Sequence, residues 1–276
     1  MHRRRVRCSF LALSALASPG LAQMADGSFV TASFQVGTFG GPAGIYLVDR
    51  ATGAVTTVTG LPGEITGAAY PSAVVVGCDF VVRRPSDGVL VTAAFASGIT
   101  NVQTPLFLLT LSGSAVVNAV RYDLGLPTAT GLGPSQAHVL ADGRIVLAVD
   151  RVGAAGEPLD GAVLGIVDPS IPNGTPGAVL AIPVSPLPPG APNGLAVDEV
   201  AGVCYLGMIQ NGLPSEIWSV PLVGGAPQLV TTVAETITNL AMAPDGRVIA
   251  VCNGAAASTA STSRSARRRR SPPSTT

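Results

Sequence analysis

The chain has 276 residues, of which 47% are apolar, 4% aromatic and 12% charged, and its formal net charge is zero. All 16 basic residues are arginine, which excludes a Schiff-base lysine and a P-loop lysine. The charge is unevenly distributed, because residues 1–22 carry +4, residues 23–254 carry −9 and residues 255–276 carry +5. The acidic middle segment lacks the basic face that non-specific nucleic-acid binding needs, so we expect no nucleic-acid partner.

The N-terminus has the layout of a secretory signal peptide. A basic segment (Met1–Arg7) precedes a short apolar stretch (Cys8–Ala17), and a small-residue site, Gly20-Leu21-Ala22, follows. About ten apolar residues are too few to cross the roughly 30 Å of a bilayer's hydrocarbon core. We therefore expect residues 1–22 to be a signal peptide that is cleaved after Ala22. The mature chain is then secreted or periplasmic, with no membrane span.

Three cysteines remain after this cleavage, namely Cys78, Cys204 and Cys252. Each lies in an apolar run typical of a strand. An odd number allows at most one internal disulfide and leaves one thiol over. Burial as small apolar side chains is the simpler interpretation, and the sequence leaves the pairing open.

Residues 23–254 contain a repeat built from short strands. Asp-Gly turns precede runs rich in Val, Ile and Leu, and a second hairpin follows each run, as in Glu216–Val220 leading to Pro227–Val230. The turn glycines are Gly27, Gly88, Gly143, Gly202 (in a degenerate Ala-Gly copy) and Gly246, spaced 61, 55, 59 and 44 residues apart. Four antiparallel strands per repeat are typical of a β-propeller blade. The predicted fold class is thus an all-β propeller with four to five blades, because a β-sandwich has no reason to show this period.

The predicted strands do not close a simple ring. The chain begins at the second strand of blade one (residues 28–36) and ends with the first two strands of blade five (residues 237–243 and 247–252). Residues 255–276 contain only Ala, Ser, Thr, Arg and Pro, a composition that predicts a disordered tail. Two hypotheses for this tail stay open: a natural basic tail that contacts an anionic surface polymer, or a frame-shifted blade in a truncated propeller.

Several units resemble the blades of secreted propellers of the NHL-repeat and gluconolactonase-like kind. The resemblance is carried by Asn193-Gly194-Leu195-Ala196-Val197-Asp198, then Ile217-Trp218-Ser219-Val220, then Gln228-Leu229-Val230. It extends over most of residues 26–252, and it is specific for the fold but weak for any one family. It implies an exported propeller.

The resemblance also implies a divalent cation, Ca²⁺ or Mg²⁺, held on the propeller axis by Glu, Asn and Asp side chains of innermost strands. Pro192-Asn193-Gly194 resembles the segment of that family that carries one metal ligand, and Asn239 is expected at the corresponding place one blade later. The equivalent segments of blades two and three, Pro71-Ser72 and Pro134-Ser135, offer no carboxylate. The competing interpretation is that both asparagines satisfy turns leading into strands.

Other candidate groups have structural explanations. His138 is the single histidine after residue 22, which excludes a multi-histidine zinc site and favours a structural role in an innermost strand. No acid is clearly placed as a general base, although Glu64 and Asp198 lie within reach in sequence. Three further acids end predicted strands and are expected to accept backbone N–H groups of the following turn: Asp49, Asp150 and Asp168.

The function that follows is an exported β-propeller acting as a non-catalytic binding or interaction module for a protein, a glycan or a small molecule. The first alternative is a gluconolactonase-like hydrolase that depends on a divalent metal at Asn193 and Asn239. The second alternative is a truncated gene product without function. A metal site predicts that Ca²⁺ or Mg²⁺ raises the melting temperature, since a ligand that binds only the folded state stabilises it.

Overall fold

The computed structural model describes residues 22–23, 29–36, 43–73, 75–97, 104–126, 134–152, 158–210 and 213–253. The predicted signal peptide up to residue 21 and the predicted tail from residue 255 lie outside these ranges. The described part holds one short helix, α1 (Gly63–Thr66), and is otherwise built of strands and their connections. No described helix has the length and apolar character needed to cross a membrane.

The strands group into blades in chain order. Blade one is β1 (Ala22–Gln23), β2 (Phe29–Val36), β3 (Gly44–Val48) and β4 (Val55–Thr57). Blade two is β5 (Val75–Arg83), β6 (Leu90–Ser97), β7 (Leu106–Ser112) and β8 (Ala115–Tyr122). Blade three is β9 (Pro134–Val139), β10 (Ile145–Val152), β11 (Pro158–Val167) and β12 (Val179–Ile182). Blade four is β13 (Ala191–Asp198), β14 (Val203–Ile209), β15 (Ser215–Pro221) and β16 (Gln228–Val233), and blade five is β17 (Thr236–Met242) with β18 (Val248–Asn253).

This arrangement confirms the predicted all-β propeller of antiparallel blades. Blades three and four are separate four-stranded sheets, while blades one and two share one sheet because the end of β2 pairs with β5. One detail differs from the expectation: β1 pairs with β2 and gives blade one a two-residue inner strand, whose first residue, Ala22, is the last residue of the predicted signal peptide. Blade five is a separate two-stranded sheet within the described residues, as predicted.

The Asp-Gly turns fold as their sequence requires. Gly143 has a φ of 88°, in the left-handed region that a residue with a Cβ rarely adopts. The Asp142 carboxylate accepts the backbone N–H of Arg144 at 3.0 Å and the Arg144 guanidinium at 2.7 Å. The same pairing recurs between Asp245 and Arg247. Each turn thus fixes the register of the two innermost strands of its blade.

The hydrophobic core lies between successive blades. Leu147 of blade three packs with Phe80 and Leu106 of blade two, and on the opposite face Val146 packs with Leu206 of blade four. Strand alternation places these side chains on the two faces of one sheet. The apolar contacts that stabilise the propeller are therefore those between adjacent blades. The polar groups of the innermost strands lie beside these contacts.

The three described cysteines are free thiols. Cys78 and Cys204 are buried, and burial raises the pKa of each to about 12. Both thiols stay protonated over the physiological range, in agreement with the expectation of small buried apolar side chains.

Candidate functional site

The innermost strands of blades two to five share one irregularity, a β-bulge. It leaves Ser135 of β9, Asn193 of β13 and Thr238 of β17 without a partner on the adjacent strand. In β5 the bulge contains Asp79 and Phe80. Each bulge lies next to the fifth residue after the turn glycine on the adjacent strand (Ala93, Ala148, Gly207 and Val251), so Asp79, Ser135, Asn193 and Thr238 occupy equivalent places in the strand pairing. Bulges change the direction of side chains and are common next to functional sites. These four residues are therefore candidates for a functional site.

Two of these side chains bind the next blade. The Ser135 hydroxyl donates to the carbonyl of Pro192 at 3.1 Å, and the Asn193 side-chain nitrogen donates to the carbonyl of Ile237 at 2.8 Å. In both cases the acceptor directly precedes the bulge of the neighbouring strand. A carbonyl only accepts hydrogen bonds, so the amide nitrogen of Asn193 must face blade five. The bulge side chain therefore acts as a clamp between consecutive blades.

The two asparagines predicted as metal ligands lie on strands that pack together, but they are not equivalent. Asn239 pairs with Val251, one place after the bulge, where blade four has Gly194. The residue equivalent to Asn193 is Thr238, so the predicted correspondence is wrong by one residue. A Cβ on Gly194 would lie 3.0 Å from the carbonyl carbon of Asn239, which shows how closely the two strands approach.

The predicted ligands alone supply few oxygen atoms for a cation. The Asn193 side chain can offer only its one oxygen, and Ca²⁺ or Mg²⁺ requires about six or more oxygen ligands, usually with carboxylates among them. Glu64 forms an ion pair with Arg121 at 2.5 Å, and Asp198 accepts a backbone N–H of its own turn at 2.9 Å. Across the described ranges, no group of three or more His, Cys, Asp or Glu side chains is placed to hold a metal ion. Asn193 and Asn239 do not by themselves fit such an ion.

Blade two carries a carboxyl group at the bulge, a feature that the sequence comparison of the units missed. Pro71 and Ser72, expected at this place, lie in a turn before β5, and Asp79 takes the position instead. Burial raises its pKa well above the ordinary value, and the charge of Asp150 raises it further. The available signal was a single acid inside an apolar run, residues 74–82.

Asp150 also differs from its prediction. Asp49 and Asp168 accept backbone N–H groups of the following turn as expected, at 2.7 Å from Thr52 and 2.9 Å from Ser170. Asp150 instead lies inside β10, which continues to Val152. Its Oδ1 is buried without a hydrogen-bond partner, and burial raises the pKa of this carboxyl to about 7.

A second polar contact between blades involves the histidine. His138 Nε2 lies 3.8 Å from Glu199 Oε1, and Glu199 Oε2 accepts the backbone N–H of Ala141 at 2.8 Å. Burial lowers the pKa of His138 more than the neighbouring Glu199 carboxylate raises it. The neutral imidazole is therefore favoured, and the contact joins the turn of blade four to blade three.

The described surface also has a depression of about 510 Å³ between blades two and three, on the side of the Asp-Gly turns. It is lined by Arg84, Ser86, Asp87, Asp142, Gly143, Arg144, Asp168, Pro169 and Ser170. Arg84 is paired with Asp87 at 2.5 Å, and Arg144 with Asp142 at 2.7 Å. Asp168 accepts the hydroxyl of Ser170 at 2.6 Å. The depression thus presents charged groups of both signs, held in place by their own turns.

No family model and no curated protein matches the chain. Among solved structures, the chain is similar to PorZ, a surface component of the type-IX secretion system of Porphyromonas gingivalis, with a TM-score of 0.53 and 11% identity over 84% of this chain and 31% of that chain. A gluconolactonase from Xanthomonas campestris gives a TM-score of 0.44 and 14% identity, over 83% of this chain and 75% of that chain. TolB from Acinetobacter baumannii gives a TM-score of 0.47 and 13% identity, over 74% of this chain and 41% of that chain. At these identities the likeness shows the propeller fold alone, and the chain spans less than half of PorZ and of TolB.

Proposed function

We propose that this chain is an exported β-propeller that works as a non-catalytic binding or interaction module. The observation that carries the proposal is the hydrogen bond from the Asn193 side chain to the carbonyl of Ile237. The residue that the resemblance implies as a metal ligand is engaged in holding two blades together. Ser135 has the same task one blade earlier, so these bulge positions serve the scaffold.

The depression between blades two and three is the proposed place for a partner. Its charged groups are accessible, since the side chains of Arg144 and Asp142 are 45% and 50% exposed. Their turns hold them in position before any ligand arrives, which lowers the ordering cost of binding. Guanidinium and carboxylate groups side by side suit a ligand rich in hydrogen-bond donors and acceptors, such as a polar protein segment or a glycan.

The decisive experiment for the axial alternative is thermal melting of the secreted protein with CaCl₂ or MgCl₂ up to several millimolar. N-terminal sequencing of the same sample checks the proposed cleavage before Gln23. We expect no change in melting temperature with either cation. We also expect Asn193→Ala to lower the stability by about 1–2 kcal/mol, because the buried carbonyl of Ile237 loses its donor.

The matched control is Asn118→Ala, the same substitution at an exposed site on the outer strand β8, which leaves the stability within about 0.5 kcal/mol. A melting temperature that rises with Ca²⁺ or Mg²⁺ in the wild type and fails to rise in Asn193→Ala would establish the metal site. Hydrolysis of a sugar lactone by the same metal-loaded sample would show that the chain is a hydrolase and would contradict the proposal of a non-catalytic binding module.

A further inference from the structure

The connection between β11 and β12 (residues 168–178) reaches from blade three to the outer strand of blade two. The hydroxyl of Tyr122, the last residue of β8, lies 3.2 Å from the carbonyl of Ile171, within donating distance. Further along the connection, the backbone N–H of Asp123 donates to Asn173 Oδ1 at 3.0 Å, and Asn173 Nδ2 donates to Asp123 Oδ2 at 3.1 Å. The Asn173 side chain thus joins this connection to the neighbouring blade by two hydrogen bonds.

Asn173 is followed by a glycine in an exposed turn. An asparagine side chain is attacked most readily by the next backbone nitrogen when the next residue is glycine, because no Cβ hinders the ring that forms. Gly174 has a φ of 77°, and a Cβ on it would meet no atom within 4 Å. No described residue accepts the backbone N–H of Gly174 in a hydrogen bond. The attacking nitrogen is therefore accessible and not engaged by the turn.

The contacts with Asp123 favour the same reaction. The attack places negative charge on Asn173 Oδ1, and the backbone N–H of Asp123 already donates to this oxygen. A donor fixed where charge develops stabilises the transition state. The leaving nitrogen, Nδ2, faces the Asp123 carboxylate, whose pKa is lowered by the Arg121 guanidinium and also by the Asn173 amide. This carboxylate is ionised at neutral pH and stabilises the positive charge on the departing nitrogen.

A second Asn-Gly pair provides an internal comparison. Asn193-Gly194 lies inside β13, where Gly194 pairs with Gly207 of β14. A Cβ on Gly194 would lie 2.9 Å from the backbone nitrogen of Leu240, and the Asn193 amide donates to the carbonyl of Ile237. Ring closure at Asn193 requires β13 to separate from its neighbours, which costs the free energy of a local opening.

We propose that Asn173 is a self-modification site whose conversion releases residues 168–178 from blade two. The Gly174 nitrogen forms a bond to the side-chain carbonyl carbon of Asn173, and the bond from that carbon to Nδ2 breaks. The amide nitrogen leaves as ammonia, with the proton that the Gly174 nitrogen loses. Water then opens the resulting succinimide at either carbonyl and gives aspartate or isoaspartate.

The product removes the contact between the two blades. An aspartate at this position has no N–H for Asp123 and places a second carboxylate beside it. Isoaspartate also inserts the side-chain methylene into the backbone. Asp168, Pro169 and Ser170 of the same connection line the depression between blades two and three. Conversion of Asn173 therefore releases the segment that forms one wall of this depression.

The first test is ageing of the purified wild-type protein at mildly alkaline pH, followed by peptide mapping with mass spectrometry and enzymatic methylation of isoaspartate. Mapping follows each Asn-Gly pair by itself, including Asn211-Gly212 and Asn253-Gly254, which lie wholly or partly outside the described residues. We expect Asn173 to convert at least about tenfold faster than Asn193, which reacts only after local opening. Asn173→Gln keeps an amide but closes a larger ring, so this position should stay unmodified.

The second test measures the release of the connection. Asn173→Asp contains one of the products from the start. Hydrogen exchange of residues 168–178 should be faster than in the wild type by about threefold, and the melting temperature should fall by about 2 °C. Asn118→Asp adds the same charge at an exposed site on β8 and is the matched control, in which both quantities should keep their wild-type values. Aged wild type should reproduce the exchange of Asn173→Asp.

Two results would overturn the proposal. One is an Asn173 that stays intact during ageing or converts no faster than Asn193. The other is wild-type hydrogen exchange of residues 168–178 in both Asn173→Asp and the aged protein, because the side chain of Asn173 then does not hold the connection.

Discussion

The junction between blades two and three and the junction between blades four and five use the same register position with different chemistry. At the second junction the neutral amide of Asn193 donates to the Ile237 carbonyl at 2.8 Å. At the first, Asp79 occupies the equivalent place, and its pKa is raised by burial and by the charge of Asp150. One fold element, the bulge of an innermost strand, thus carries a neutral amide in one blade and a titratable carboxyl group in another.

Two of the bulge positions hold side chains that donate across a junction, Ser135 and Asn193, so the position accepts more than one kind of donor. Aspartic acid can donate only when it carries a proton. Only aspartic acid adds a charge when the pH rises, and burial makes that charge unfavourable. The side chain at the bulge therefore sets how the stability of the junction depends on pH.

The largest expected effect comes from making the second junction resemble the first. Asn193→Asp places a carboxylate against the Ile237 carbonyl, so at about pH 8 we expect a loss of about 3 kcal/mol from the free energy of unfolding. At about pH 5 the loss should be smaller, because burial raises the pKa of the new carboxyl and the protonated group donates again. Urea denaturation at the two pH values measures both. An equal loss at both would show that the bulge does not require a donor.

A smaller effect is expected from the spacing at the second junction. A Cβ on Gly194 would lie 2.9 Å from the backbone nitrogen of Leu240, so Gly194→Ala must push β13 and β17 apart. We expect a loss of about 2 kcal/mol, typical of overpacking, by urea denaturation. Gly63→Ala is the matched control, because its Cβ would find its nearest atom at 3.6 Å. An equal loss in the two variants would mean that the close approach is not rigid.

The smallest effect is expected at an exposed turn, where the pH dependence has the opposite sign. The Arg144 guanidinium lowers the pKa of Asp142. This stabilisation is present above the ordinary carboxyl pKa and is lost as the pH falls through the lowered one. Because both side chains are about half exposed, Asp142→Asn should cost less than about 0.5 kcal/mol at pH 7 and nothing measurable near pH 2. A loss above 1 kcal/mol would contradict the description of this pair as a solvent-screened contact.

The fold was predictable because its signals are local. The Asp-Gly turns need a left-handed glycine, as Gly143 shows with a φ of 88°, and each turn joins two runs of alternating apolar residues. The predicted strands 237–243 and 247–252 correspond to β17 (Thr236–Met242) and β18 (Val248–Asn253), within one residue at each end. Such boundaries follow from pattern alone.

The candidate site was predictable only in part, because bulges shift the register by one residue. Asn239 was aligned with Asn193, and the structure aligns Thr238. The sequence pattern places the corresponding segment of blade two at Pro71-Ser72, several residues before β5 begins, and so it does not predict the position of Asp79. A single sequence contains no pattern that marks the position of a bulge or the one-residue shift that the bulge causes.

The sequence by itself determined the antiparallel blades, their turns and the acidic charge of the middle segment, because these depend on residues that are near one another in the chain. The tertiary structure alone decided which polar side chains meet across a junction. The Ser135 hydroxyl bonds a carbonyl 57 positions away in the chain, and the Asn193 side chain bonds one 44 positions away. Their chemistry depends on burial and on a facing blade, and both arise only when the blades pack.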